Sequence, residues 1–303
     1  MSDAKSPFHR GEKEIQSRLG IQDQMEEKGR RVIRDRIPEK NLDFFAQLPL
    51  LTIGTVDECG RPWASVLAGK PGFARAIDPL KLEVKARPVF GDPLNKALID
   101  GADIGALGLD FETRGRFRVN GKIAHLGEDA FEIRVMQAFP NCPQYIQARD
   151  YDLGDDETIG EKKAVRRGDT LNRAEAAMIA GSDTLFIASQ FSEGDDDWSR
   201  GVDVSHRGGK PGFVIVAHES LLLFPDYAGN CMFSTLGNIQ VDPRCGLLFI
   251  DFDTGNALQL TGEAEILWEP EHVCRFPGAE RVVSFQVEEK IHVERALPMT
   301  WRF

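Results

Sequence analysis

The chain repeats itself at long range. Gly69-Lys70-Pro71-Gly72-Phe73 returns as Gly209-Lys210-Pro211-Gly212-Phe213, an offset of 140. Downstream the offset settles at 141: Asp110-Phe111-Glu112-Thr113 returns as Asp251-Phe252-Asp253-Thr254, and Val119-Asn120-Gly121 answers Leu260-Thr261-Gly262. Gly105-Ala106-Leu107-Gly108-Leu109 likewise answers Gly246-Leu247-Leu248-Phe249-Ile250. Upstream, Ile53 and Trp63 answer Ile187 and Trp198 at 134 and 135, so the second copy carries a short insertion ahead of its Gly-Lys-Pro-Gly. A solenoid repeats every 20 to 50 residues or so, and this period is far longer. The spacing predicts one domain fold used twice, which a chain of 303 residues can hold at roughly 150 residues per domain.

The punctuation within each copy is that of short strands. Residues 1–40 are strongly charged with sparse apolar positions (Ile15, Leu19, Met25, Val32, Ile33), which reads either as surface helices ended by Pro38 or as a solvated arm. From there 41–136 predicts a first barrel. Its strands are expected at 50–56, 63–68, 80–86, 103–111, 115–125 and 131–135, with helical turns at 94–100 and a hairpin turn at Glu58-Cys59-Gly60-Arg61-Pro62. A connecting segment, 137–180, holds an acidic stretch (Asp150, Asp152, Asp155, Asp156, Glu157) and a helix at 172–179. The second barrel, 181–303 with a C-terminal tail, has strands expected at 184–190, 198–205, 245–252 and 257–267 and a turn at 192–197. The fold class expected is mainly β (α+β): two tandem six-stranded, mostly antiparallel barrels.

Charge and cysteine usage narrow the function. A net charge of −11 speaks against a sequence-independent grip on nucleic acid, which needs an excess of Lys and Arg. No run approaches the ~18 apolar residues of a membrane helix, and the first 30 residues hold no apolar signal core. A cytoplasmic protein without nucleic-acid or membrane partners is expected. The five cysteines (59, 142, 231, 245, 274) show no Cys-x-x-Cys and no paired His spacing, so neither a metal site nor a disulfide framework is expected.

Two stretches of the second copy carry chemistry. Ser205-His206-Arg207-Gly208-Gly209-Lys210 sets cations and glycines just after a strand. Glycines expose successive backbone N–H groups and Arg offers a planar fork, so the stretch suits an anion; it equally suits a glycine-rich turn with solvated charges. Asn230, Ser234, Thr235, Gly237 and Asn238 add hydroxyls and amides at a strand-to-helix junction, either to hold a phosphate or to cap a short helix. Ser205 and His206 are no nucleophile and base pair, because strand neighbours point to opposite faces. Arg114, Arg116 and Arg118 alternate along a strand; a solvated edge is expected, with reach to an anion across a domain interface as the other reading. The lone His125, His218, His272 and His292 are expected in structural roles, and Cys142 is expected to be buried and unreactive.

Asp203-Val204-Ser205-His206-Arg207-Gly208-Gly209 followed by Pro211-Gly212-Phe213, Gly229-Asn230, Leu236-Gly237-Asn238-Ile239, Asp242-Pro243-Arg244 with Gly246-Leu247, and Leu260-Thr261-Gly262 together resemble the pyridoxamine 5′-phosphate oxidase-related, FMN-binding split-barrel family. The stretch 139–149, with Asn141-Cys142-Pro143 and Tyr145-Ile146, is similar to a segment of its two-barrel members. The resemblance spans most of 45–303. It implies FMN at an interface between two barrels, with Ser205, His206, Arg207, Gly208 and Lys210 at the flavin or its phosphate, and Asn230, Ser234, Thr235, Gly237 and Asn238 in the same pocket. In the first copy the place of 205–208 is taken by Val66, Leu67 and Ala68, and that of 234–238 by Pro93, Leu94, Asn95, Lys96 and Ala97, so one site per chain is expected. The Arg-x-Val-Leu-Leu-Lys strand of true pyridoxamine phosphate oxidases is missing, and vitamin B6 oxidation is not expected. The implied activity is that of an FMN-dependent oxidoreductase on an unidentified small molecule, with a reductase as a candidate electron donor, His206 as the candidate acid–base residue, and homodimerisation through the outer surfaces. A non-catalytic flavin- or haem-binding module of the same fold is the alternative, and a purely structural protein a third.

Overall fold

A computed structural model describes residues 6–153, 163–194 and 198–302. The N-terminal arm forms α1 (Arg10–Arg18) and α2 (Gln22–Val32). The first copy follows as β1 (Leu50–Val56), β2 (Pro62–Ala68), β3 (Ala74–Asp78), β4 (Lys81–Val84), α3 (Leu94–Ala97), β5 (Asp103–Leu109), β6 (Arg116–Ala124) and β7 (Phe131–Pro140). The connection supplies β8 (Asp150–Leu153), β9 (Val165–Gly168) and α4 (Arg173–Gly181). The second copy runs β10 (Thr184–Phe191), β11 (Gly201–Gly208), β12 (Ile215–His218), β13 (Leu221–Tyr227), α5 (Ser234–Val241), β14 (Arg244–Ile250), β15 (Ala257–Leu267), α6 (Pro270–Val273), β16 (Ala279–Val293) and β17 (Met299–Arg302).

Both copies arrange their strands alike. The first sheet runs β2-β1-β5-β6-β7-β4-β3 and the second β11-β10-β14-β15-β16-β13-β12, all antiparallel, with β9 added against β16 and β17 paired with β8. Successive side chains on a strand face opposite ways, and one face of each sheet closes on itself. Leu51, Leu67, Ala74, Leu82, Ile104, Phe117 and Ile133, one from each of the seven strands, share a single buried cluster. A flat sheet cannot bring its two end strands to one cluster, so the sheet is curled into a barrel split between β2 and β3. In the second barrel Leu185, Leu222, Leu247, Leu258 and Phe285, from the five inner strands of the same strand order, share one buried cluster, with Val216 of the end strand β12 packed against it.

The opposite faces meet between the barrels, where Trp63, Val66, Leu107, Phe186, Val204 and Leu248 form a third cluster. Two glycines let the backbones touch there. A Cβ on Gly105 would stand 2.5 Å from the Val202 carbonyl oxygen, and one on Gly246 would stand 2.4 Å from that of Pro62. Gly105 and Gly246 are equivalent positions, as are Pro62 and Val202, so the barrels are related by an approximate two-fold axis; the register makes Asp203 the counterpart of Trp63 and corrects the expected pairing with Trp198, which lies ahead of β11. Bulges at Asn120/Gly121 and Thr261/Gly262 repeat at the same offset.

The arm packs rather than floats. His9 and Glu12 close a capping box on α1, and Ile15 enters the core of the second barrel. Some boundaries differ from expectation. β3 and β12 are additions to the expected strands, each short and half-solvated and beginning just beyond a Gly-Lys-Pro-Gly turn. The helix expected at 94–100 is the single turn of α3. The acidic residues Asp155, Asp156 and Glu157, the end of the turn at 195–197, and Phe303 lie outside the described residues. Among the described residues, no helix is long and apolar enough to cross a membrane.

Candidate functional site

A cavity of about 110 Å³ opens to solvent where β11 and the start of α5 face β6 of the first barrel. The strand period puts Asp203, Ser205 and Arg207 of β11 on one face and Val204 and His206 on the other. Ser205 accepts from Arg118 of β6 and from Thr235 Oγ1 of α5 at 2.8 Å, which leaves its own proton to donate. Asp203 holds Arg118 in place: its carboxylate accepts from Arg118 Nη1 at 2.8 Å, from Asn120 Nδ2 at 2.6 Å and from Asn238 Nδ2 at 3.1 Å. Arg207 donates to Asp226 at 2.6 Å, and the same carboxylate takes a bond from buried Arg281 at 3.0 Å.

His206 has a defined role. Arg116 Nη1 lies 3.1 Å from its Nδ1, and a guanidinium can only donate, so Nδ1 accepts and the ring proton sits on Nε2. Burial, reinforced by Arg116, Arg207 and Arg149, holds the imidazole well below the usual histidine range and therefore neutral. Burial, then the neighbouring Arg207 and Arg118 charges, lowers Arg116 to about 10, which still leaves it cationic at neutral pH. Four residues lining the cavity each carry an N–H group that is buried without a partner: Arg116 Nε, Arg118 Nε, Asn141 Nδ2 and His206 Nε2. Leaving such donors unmatched is costly, and together they describe a place for an acceptor-rich, anionic group.

Backbone strain gathers at the same wall. Of the six non-glycine residues with positive φ among the described residues, Tyr145 (65°), Cys231 (62°) and Phe233 (62°) all line the cavity. Residues held in sparsely populated φ/ψ regions cluster at binding and active sites. Tyr145 stacks on Tyr227 at 5.1 Å between ring centroids and bonds the Ala228 carbonyl, and its own carbonyl presses on Gly208, where a Cβ would stand only 2.1 Å away.

The expected site residues divide accordingly. Ser205, His206, Arg207, Gly208, Asn230, Ser234 and Thr235 line the cavity. Lys210, Gly237 and Asn238 do not. Lys210 is exposed in the turn after β11, Gly237 packs against Glu12 of α1, and Asn238 is buried behind the site, bonded to His9, Ser189 and Asp203. His206 is corrected from acid–base candidate to neutral donor, since its one lone pair is engaged by Arg116. The solvated-edge expectation also fails for two of the three arginines: Arg118 is 4% exposed and Arg116 reaches His206. Cys142 is half-buried and lines the cavity. Tyr145, Tyr227 and Asp226 are additions; the Asn-Cys-Pro-x-Tyr motif pointed to the first of them.

No protein-family model and no curated protein matches the sequence. Several solved structures match over about 40% of this chain. A putative pyridoxamine 5′-phosphate oxidase from Lactobacillus delbrueckii is 17% identical over 41% of this chain and 94% of its own, with a TM-score of 0.31. An FMN-binding protein from Syntrophomonas wolfei is 11% identical over 40% and 83% (TM-score 0.29), and a FAD-binding protein from Mesorhizobium loti 12% identical over 43% and 97% (TM-score 0.27). The fold itself rests on strand order and on one shared cluster per sheet: the chain carries the split barrel twice.

Proposed function

We propose that the cavity between the barrels binds the phosphate of a flavin, FMN, and that the protein is a flavin-dependent oxidoreductase descended from an internal duplication. The observation that carries the reading is that Arg116, Arg118, Asn141 and His206, each with a buried, unpartnered N–H, line one cavity from two barrels together with Ser205, whose hydroxyl proton is left to donate. That donor set fits a phosphate. The cavity has room for such a head group, and typical ligand sites of roughly 300–1,000 Å³ are larger, which leaves the ring to the open mouth. When bound, the flavin supplies the electron transfer. Arg116 and Arg118 supply charge, Ser205, oriented by Thr235, supplies a hydroxyl proton, and His206 offers a neutral N–H to an acceptor. The Asp203 carboxylate fixes Arg118 and that of Asp226 fixes Arg207, so little reorganisation of these two is needed on binding.

One observation favours a second reading, a flavin binder without turnover. His206 has no lone pair free to take a proton, and the carboxylates that line the cavity, Asp226 and Glu280, are engaged by Arg207 and Arg281. Two measurements test both. Titration of FMN into the purified protein should quench flavin fluorescence saturably; no binding at high micromolar concentration rejects the flavin. Reduction of the bound flavin by NADH, NADPH or a partner reductase then separates enzyme from binder.

A further inference from the structure

The two-fold relation places a second niche in the first barrel. Ser65 lies opposite Ile53 as Ser205 lies opposite Ile187, so the first copy keeps the serine. This corrects the expectation that the whole set was lost. Gln259 of β15 lies opposite Leu248 as Arg118 of β6 lies opposite Leu107, and Leu94 stands in α3 where Thr235 stands in α5. In the open half, Ser205, Arg118 and Thr235 border a cavity. In the other half a side chain sits among their equivalents. The Asp92 carboxylate accepts from Ser65 Oγ at 2.6 Å and from the Leu94 backbone N–H at 2.8 Å through one oxygen, and from Gln259 Nε2 at 3.2 Å through the other. All three side chains are buried. The position equivalent to Asp92 is Phe233, whose ring packs 4.9 Å from the Arg281 guanidinium and leaves no carboxylate there.

We propose that the first barrel retains an oxyanion niche between Ser65, Gln259 and the Leu94 N–H, that Asp92 fills it from within, and that removing this carboxylate opens it to a small monoanion such as formate. The donors that touch the carboxylate are neutral. Gln259 replaces the cation of the open half, and Arg167 acts on Asp92 only from a distance. Such a niche holds at most one negative charge, against the cost of its burial, and not the two of a phosphate monoester. A cleft lined by Ala68, Lys70, Lys85 and Asn95 marks the first-barrel counterpart of the open mouth, and Ser65, Asp92 and Gln259 are not among its walls. The inference stands whether or not the open half binds flavin.

The test is chemical rescue of Asp92→Ala, followed by thermal melting in formate, acetate, phosphate and chloride at matched ionic strength. Formate should raise the variant's Tm saturably by several degrees, acetate less, and chloride and phosphate not at all, while wild type is unmoved. Adding Ser65→Ala to the variant should abolish the rescue. Equal responses to formate and chloride, a preference for phosphate, or the same shift in wild type would each overturn the proposal. If Asp92→Ala does not fold unaided, refolding yield is compared in formate and in chloride: a higher yield in formate supports the niche, and equal yields overturn it.

Discussion

Arg118 and Gln259 occupy one register position in two sheets, opposite Leu107 and Leu248, yet the first is ion-paired to Asp203 and the second bonds a serine as a neutral amide. The chain thus holds both versions of one site, charged and uncharged. Arg118→Gln should convert the first into the second. Loss of one charge-assisted bond of about 1.5–3 kcal/mol should weaken binding of a phosphorylated ligand roughly ten- to a hundredfold. Stability should fall as well, because Asp203 loses its cation, though Asn120 and Asn238 still donate to it. Adding Asp203→Asn should restore stability and leave affinity low. Ligand titration and urea melts check both halves, and recovery of affinity in the double variant would remove Arg118 from the site.

Two buried groups should tilt the pH dependence of stability in opposite directions. Burial pushes Asp92 up to about 6 against the opposing bonds from Ser65, Leu94 and Gln259. Its contribution is therefore fully present below the unfolded value near ~4 and lost as pH rises through about 6, a swing of roughly 3 kcal/mol. His206 is held below its unfolded value near ~6.5, so its contribution is present above that value and lost on acidification. Between about pH 4 and 6 the two oppose each other. Relative to wild type, Asp92→Asn should lose more stability as pH falls from 6 to 4, and His206→Gln should lose less. Urea unfolding across pH 4–8 reads both differences, and variants that run parallel to wild type would show that neither group titrates as its burial requires.

Much of this was legible because the repeated residues do backbone work. Asp110 and Asp251 each accept from the two N–H groups that follow in their turns, Glu112 and Thr113 in one and Asp253 and Thr254 in the other, which is why Asp-Phe-x-Thr recurs. Gly105 and Gly246 recur because each meets a carbonyl of the other barrel. The cross-barrel part of the site was not legible. Alternation at Arg116 and Arg118 reads the same for a solvated edge and an interface, since the period gives the face and not what lies opposite it. Lys210 continued a basic run in sequence, but Gly212, at φ 90°, turns the chain away just after it. Gly237 and Asn238 belong to the helix face covered by α1, and nothing in a charged N-terminal stretch says where it docks.

That docking can be tested at Gly237. In a helix interior, glycine to alanine ordinarily stabilises by about 0.5–1 kcal/mol. Here the added Cβ would stand 2.6 Å from the Glu12 backbone nitrogen, so α1 must lift. Gly237→Ala should lower stability by roughly 1–3 kcal/mol instead, as overpacking does. It should also expose the arm, which now holds the second barrel through the His9–Asn238 bond at 2.8 Å and through Ile15. Limited proteolysis should cut the variant near the N-terminus and leave wild type intact; a stabilised, resistant variant would place α1 elsewhere.

Gly208 poses the same question at the cavity. Its φ is not in the left-handed region, so alanine is acceptable to the strand, and Ala68 stands at the equivalent end of β2. What forbids a side chain is the Tyr145 carbonyl, 2.1 Å from where the Cβ would be. Gly208→Ala should therefore drive the crossing segment around Tyr145 off β11, break its stack on Tyr227 and widen the mouth, at a cost of roughly 1–3 kcal/mol. Arg118 and Ser205 stay where Asp203 and Thr235 hold them. Binding of inorganic phosphate should then be nearly unchanged while affinity for a ligand with a planar ring falls. Both affinities can be followed by calorimetry, and an equal loss of the two would mean that Tyr145 supports the anion niche rather than the mouth.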